Sequence, residues 1–428
     1  MPTPAGPTAK AVDAGVARCN GSGHPDSRPD PPLTLFAVFL LAYVLSQFFR
    51  AFLAVMAPGL TTDLGLGAGD LANMSAAFFL VFALVQFPLG VALDRLGPRR
   101  TVPVLMLAGV AGALLMAQAQ GAAASIAALA LIGLGCSPIY MGALYYYGRT
   151  ESPARFGFLS SLMLGIGSLG NLLAATPLAI ATQHFGWRLT LLLIAAVMAG
   201  AAALFWLMVR DPPPAEQPAG RQSAMAELRE VVTLPGFWAL MPLLMIGYAA
   251  VVVERGLWVG PYFAEVHRLE PIPLGNAVLA MAISMSLGAF AFGALDRVLG
   301  RPKLLVIAGT LLTAVPFMVL WLMPQPPLWS AVASVSAIGF MGLCQPLLFA
   351  HARRFFPDHL LGRGMTFANF LTIGGAGLVQ YASGIYVSEL KASGMATEAV
   401  WAALHMWFAV MTIAALAVYL LSPMPKRS

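Results

Sequence analysis

Runs of apolar residues separated by short polar breaks recur from residue 33 to residue 421. A run of roughly 18 or more apolar residues is long enough to cross a bilayer as a helix. By that test the pattern predicts twelve spans. Six cover 33–57, 72–93, 101–118, 124–147, 157–182 and 189–209, and six more cover 236–262, 273–295, 303–323, 328–350, 365–387 and 400–421. The segment 210–235 is the one long polar interruption, so the chain divides into a half at 33–209, a central loop at 210–235 and a second half at 236–421. The first 32 residues are rich in proline and glycine and hold no apolar core, which predicts a disordered tail and no cleavable signal peptide. A short tail, 422–428, ends the chain.

Composition narrows the class further. Hydrophobic residues make up 59% of the chain and charged residues 10%, against roughly 25% charged in soluble proteins. A soluble enzyme, a secreted disulfide scaffold and a disordered protein are excluded. Three cysteines, Cys19, Cys136 and Cys344, leave one unpaired under any scheme and imply no disulfide framework. A net charge of +6 would suggest nucleic acid as a partner for a soluble chain, but here the placement of the charges matters and no nucleic acid is implied. With the N-terminus in the cytoplasm, 19 of the 24 Lys and Arg fall on the cytoplasmic side; only Arg188, Arg268 and Lys391 fall outside. The positive-inside rule therefore predicts a multi-pass protein of the cell (inner) membrane with both termini cytoplasmic.

Segments about 200 residues apart match. Gly90-Val-Ala-Leu-Asp94-Arg95-Leu-Gly97-Pro-Arg99-Arg100 follows span 2, and Gly293-Ala-Leu-Asp296-Arg297-Val-Leu-Gly300-Arg301-Pro-Lys303 follows span 8. Cys136-Ser-Pro138 in span 4 answers Cys344-Gln-Pro346 in span 10, and Arg50 of span 1 answers Arg255 of span 7. The offsets are 202, 208 and 205. Parallel repeats of six helices about an axis along the membrane normal are the architecture of secondary transporters that rock one half against the other.

Charges inside the spans are few: Arg50, Arg255 and Glu254. An ionisable group within the membrane is costly and marks a functional site by default. The alternative is that each arginine snorkels to the headgroups, although Arg50 lies about 12 Å of helix rise before Pro58. The matched depth of the two arginines favours a shared task. A guanidinium suits the binding of a carboxylate or phosphate, which its rigid fork grips bidentately. Glu254 adjoins Arg255, and two roles are open to it: carrier of a coupling proton or structural ion-pair partner.

The loop sequence GVALDRLGPRR resembles the G-x-x-x-D-R-x-G-R-[KR] motif of the major facilitator superfamily, with Pro98 in place of an Arg. The resemblance extends over nearly the whole chain. It implies an all-α membrane protein of twelve transmembrane helices in two pseudo-symmetric six-helix halves. It also implies that spans 1 and 7 line a central cavity and that Asp94 lies near the start of span 11, where it latches the outward-open state. On this reading Asp94, Arg95 and Arg99, with Asp296 and Arg297 in the second copy, act in gating; the bland reading makes them topological anchors. The segments from Arg50 to Pro58 and from Arg255 to Tyr262 look like the corresponding helices of the organophosphate/phosphate antiporters and related organic-anion permeases. In those relatives an arginine from each half clamps the anionic group.

Gln47, Gln86, Tyr140, Asn171, Trp258, Gln345, Asn369 and Gln380 could complete a binding site, or each could serve only as a hydrogen bond between helices. The glycines at 165, 167 and 170 only partly resemble the signature of nitrate porters. Spans 4 and 5 lack the arginine and Gly-Pro motif usual in drug/proton antiporters. No Walker motif, metal-ligand spacing or nucleophile–base set appears, so the expectation is a monomeric transporter without cofactor rather than an enzyme. Its partners are then the lipid bilayer, a small solute and protons as the coupling ion. Three readings of its task stay open: permease for a small organic anion, transporter of a neutral or aromatic solute such as a drug or vitamin, and a non-transporting receptor on the same fold.

Overall fold

The computed structural model describes residues 33–212, 229–357 and 360–423. The expected tail at 1–32, most of the central loop and the last five residues lie outside the described residues. Among the described residues every regular element is helical. Ten helical stretches are long and apolar enough to cross a membrane, and a bent pair, Thr34–Phe49 with Phe52–Leu64, adds one more. One of the ten, Arg155–Met208, runs for 54 residues and turns at Gly186, whose φ of 75° is left-handed and favours glycine. It holds spans 5 and 6, so the described residues form twelve spans.

The remaining spans are Ala68–Leu96 (span 2), Pro98–Ala117 (span 3), Ala122–Cys136 with Pro138–Thr150 (span 4), and Met241–Val253 continuing to Val266 (span 7). They continue with Pro271–Leu299, Pro302–Leu322, Leu328–Gly342 with Gln345–Ala352, Leu361–Ala392 and Thr397–Leu420 (spans 8 to 12). Both ends of the described chain and the two motif loops lie on one face of the bundle, called here the terminal face; the opposite face is the distal one.

Several spans are interrupted, and the causes are local. Pro138 has no N–H to give the Leu134 carbonyl, which instead accepts the Ser137 hydroxyl at 2.8 Å. Span 1 bends by 46° between Phe49 and Phe52. At the bend, Arg50 and Ala51 donate to the carbonyls only three residues back, Gln47 and Phe48. At the matching place in span 7, Glu254–Trp258 form a turn of π-helix. Such turns insert an extra residue and recur at functional sites. Both first helices of the halves thus leave α geometry at their arginine.

The halves meet mainly toward the distal face. The Gly260 backbone of span 7 rests on the Ala54 carbonyl of span 1, leaving no room for a Cβ. That carbonyl is the one Pro58 cannot satisfy, so it is free to take a close approach. Span 8 joins span 5 where the Thr176 hydroxyl donates to Asn276 Oδ1 at 2.8 Å. Span 11 lies along span 2 from Gly384 against Ala72 to Phe370 against Phe87, whose rings are 4.9 Å apart.

Each half carries the same pair of ties. On the terminal face, Arg99 Nε donates to the Trp206 carbonyl at 3.2 Å and its backbone N–H to Asp211 at 2.8 Å, while Lys303 donates to the Leu420 carbonyl at 3.3 Å. A cation at the start of the third span thus occupies the last carbonyls of the sixth, which a helix leaves open. On the distal face, Asp63 pairs with Arg188 at 3.5 Å and accepts the Trp187 indole N–H at 2.7 Å. Glu265 likewise pairs with Lys391 at 2.7 Å and accepts the Trp401 indole N–H at 3.1 Å.

Candidate functional site

The breaks in spans 1 and 7 bring the two arginines side by side. A Cβ on Gly256 would stand 2.9 Å from the Arg50 carbonyl, and the two guanidinium groups are within electrostatic range of each other. Arg50 is part-exposed and its guanidinium lies 4.6 Å over the Phe82 ring, a cation–π contact. Arg255 is 4% exposed. Neither Nε has a hydrogen-bond partner. A buried cation and a half-buried one close together, each with its Nε donor unspent, repel each other, and an anion between them would relieve both costs.

Tyrosines surround the pair. Tyr43 is within electrostatic range of Arg50, Tyr140 and Tyr248, and Tyr248 is within range of Arg255. The Tyr43 and Tyr140 rings are 5.1 Å apart. Tyr43 and Tyr248 were not singled out from the sequence, yet the repeat held the signal: Tyr43 precedes Arg50, and Tyr248 precedes Arg255, by the same seven residues.

The other sequence candidates divide. Gln47 packs against Gly170, which precedes Asn171, and Gln345 packs against Gly247, which precedes Tyr248. Asn171 Oδ1 and Gln345 Oε1 are buried without a partner. Gln86 donates to the Ser137 carbonyl at 3.4 Å. Asn369 is part-exposed on span 11, one residue before the Phe370 that meets Phe87. Trp258 is committed elsewhere: its indole donates to Ser383 at 2.9 Å, and Ser383 donates to the Gln380 carbonyl. The Gln380 amide is fully buried with both ends unpartnered.

Glu254 does not turn toward Arg255. Its carboxylate faces His405 of span 12, Oε1 to Nε2 at 3.4 Å, and both side chains are buried. His405 is a third residue that the sequence reading missed. A histidine within an apolar span, as in Ala-Leu-His405-Met-Trp, was the available signal.

The gating candidates lie on the terminal face. Asp94 faces Arg149 of its own half at 3.7 Å, and the Arg149 guanidinium lies 4.4 Å over the Tyr145 ring. Arg99 forms the tie to span 6. Arg95 and Arg297 are exposed, and Asp296 Oδ1 is buried without a hydrogen-bond partner. No cluster of metal-ligating side chains is present among the described residues. Two cavities, of about 310 and 200 Å³, flank the contact of spans 1 and 7 near the distal face.

Twelve apolar helical spans in two repeated halves, with an arginine from each half at their junction, are the build of a solute transporter. The chain belongs to the Major Facilitator Superfamily, whose family description matches residues 39–380. It is a multi-pass membrane transporter and not an enzyme. Among its relatives is the probable nitrate/nitrite transporter NarK2 of Mycobacterium tuberculosis, 26% identical over 70% of this chain and 75% of that protein. The probable sulfoacetate transporter SauU of Cupriavidus necator is 25% identical over 42% of each chain. The crystal structure of a D-xylose-proton symporter shares the fold, with a TM-score of 0.72 and 14% identity over 92% of this chain and 98% of that one.

Proposed function

We propose that the chain is a secondary active transporter that carries a small organic anion across the inner membrane by alternating access. The reading rests on Arg50 and Arg255, one from each half, adjacent and with donors unspent. Relatives named for nitrate/nitrite and for sulfoacetate support an anionic cargo. Tyr43, Tyr140, Tyr248, Gln47, Asn171 and Gln345 complete the site around the pair. The basic residues set both termini in the cytoplasm, so the distal face is the outside and is the closed one here. The loops at 90–100 and 293–303 then lie inside, where Asp94 and Asp296 gate. Coupling is to protons, and Glu254 is the carboxyl buried in the spans.

A second reading draws on the aromatic groups about Arg50. Phe82 under its guanidinium and the Tyr43–Tyr140 pair would suit a neutral aromatic solute as well.

Arg50→Lys and Arg255→Lys separate the two. A charge-assisted hydrogen bond is worth about 1.5–3 kcal/mol, and lysine cannot reproduce the bidentate fork. Each variant should therefore bind nitrate, or an organic anion such as glucuronate, about ten- to a hundredfold more weakly in detergent. Near-native affinity in both lysine variants refutes the clamp and moves the weight to the neutral solute.

A further inference from the structure

The Glu254–His405 pair has no place in the anion clamp and is too well buried for an anchor. Glu254 is 0% exposed and His405 1%. When His405 donates from Nε2 to Glu254 Oε1, its Nδ1 and the Glu254 Oε2 remain as acceptors, and neither has a partner. The hydroxyl of Tyr262, whose ring stands 5.1 Å from that of His405, is also without one. Two bare acceptors in a dry setting are costly, and a buried carboxylate without a full set of partners more so. A proton on Glu254 Oε2 removes that buried charge.

The fold does not need the pair. The repeat that sets Arg255 opposite Arg50 sets Glu254 opposite Phe49, which the first half packs among Phe48 and Phe52. One half thus fills this position with an apolar ring and the other with a carboxylate.

A cavity of the distal face also lies near the pair. The larger distal cavity is lined by Trp258 and Trp401. These residues stand four positions from Glu254 and four from His405, one helical turn each. Only that turn separates the cavity from the pair.

We infer that Glu254 and His405 together form the proton-binding site of this transporter, loaded from the distal cavity. A proton taken up by Glu254 Oε2 raises the charge of the pair by one and leaves by the same atom. The groups that face the pair are Tyr262 of span 7, with His267 beyond it at 5.6 Å between rings, and Phe317 of span 9; Arg255 adjoins Glu254 in the chain but turns away from it. Burial lowers the pKa of His267, which lies past the end of span 7, so His267 gains its charge only in more acidic solution. Arg255 keeps its charge. Each proton loaded therefore makes the surroundings of Arg255 more positive and strengthens its hold on an anion, which is the logic of proton–anion symport. That last step rests on the anion reading; the proton site itself does not.

The test uses full-length protein in detergent with no solute added, titrated between about pH 5 and 8, where histidine changes charge. Infrared difference spectra should show one protonated-carboxyl signal that vanishes in Glu254→Gln. Its midpoint should move by roughly one unit or more in His405→Gln, while Glu265→Gln leaves the signal in place. A wild-type protein without the signal, or a signal that survives Glu254→Gln, overturns the site. Should His405→Gln fail to fold, as a melt at neutral pH reveals, Glu254→Gln decides alone. Nitrate is the probe in a second arm: wild type should bind it several-fold more tightly at the acidic end, and Glu254→Gln should bind it equally at both. A carboxyl signal without binding of either nitrate or glucuronate keeps the proton site and removes the anion reading.

Discussion

Seven residues separate Tyr43 from Arg50 and Tyr248 from Arg255, and two turns of helix return a side chain to the same face. Each guanidinium therefore comes with a phenol hydroxyl from its own span, once in each half. A hydroxyl makes one hydrogen bond to an anion where the guanidinium fork makes two, so its loss costs about 1.5 kcal/mol or less, the low end of the charge-assisted range. Tyr43→Phe and Tyr248→Phe should each lower nitrate affinity about two- to tenfold, less than either lysine variant. The reference is Tyr381→Phe, which alters an exposed ring on span 11. Losses no larger than in that reference would remove the tyrosines from the site. At this scale the sequence was legible where charge and depth mark a residue, as for Arg50, Arg255 and Glu254. It was not legible for His405, since the pairing with Glu254 joins residues 151 apart. Nor did it show that Trp258 is committed to Ser383, because only packing decides which face of span 7 turns toward span 11.

The interruptions of the spans carry the same lesson at a larger size. Apolar runs gave the twelve elements, but the ends of spans 1 and 7 were read short, at 57 and 262, whereas the helices continue to Leu64 and Val266. The added turns hold Thr61, Thr62, Asp63 and Glu265, which hydropathy assigns to loops. They are helical because Asp63 and Glu265 are held by Arg188 with Trp187 and by Lys391 with Trp401. Two of the three basic residues that break the positive-inside pattern are thereby explained: they fasten spans 1 and 7 to their own halves. These pairs are part-exposed, so each is worth little to stability, about 0–1 kcal/mol. Their expected effect is on rigidity. The contact of Gly260 with the Ala54 carbonyl is a sharper lever. Gly260→Ala forces spans 1 and 7 apart at the distal face without touching either arginine. It should increase labelling of a cysteine at Thr61, part of the distal cavity wall, by a membrane-impermeant thiol reagent. Unchanged labelling in a folded variant would mean that the spans yield elsewhere and that this contact does not close the face.

For the whole molecule, closure of the distal face and pairing of Asp94 with Arg149 inside its own half describe one end of a transport cycle. Opening the distal face requires span 11 to leave span 2 where Gly384 meets Ala72 and Gly69 meets Ser388. Two rigid halves that part at one face approach at the other, so the start of span 11 moves toward Asp94. A carboxylate beside a helix N-terminus gains about 0.3–1 kcal/mol. The Asp94–Arg149 pair of the distal-closed state is part-exposed and long at 3.7 Å, so it is worth little; Asp94→Asn forgoes mainly the gain of the distal-open state, whose population should fall about two- to fivefold. A cysteine at Ser388, introduced with Cys19 replaced by Ser, reads the change directly, since its site lies in the seam between spans 2 and 11. Cys136 and Cys344 are buried and stay silent. Labelling from the distal side should slow by the same factor in Asp94→Asn, solute flux should fall with it, and thermal stability should hold. If labelling and flux both match the wild type, Asp94 anchors the loop and gates nothing.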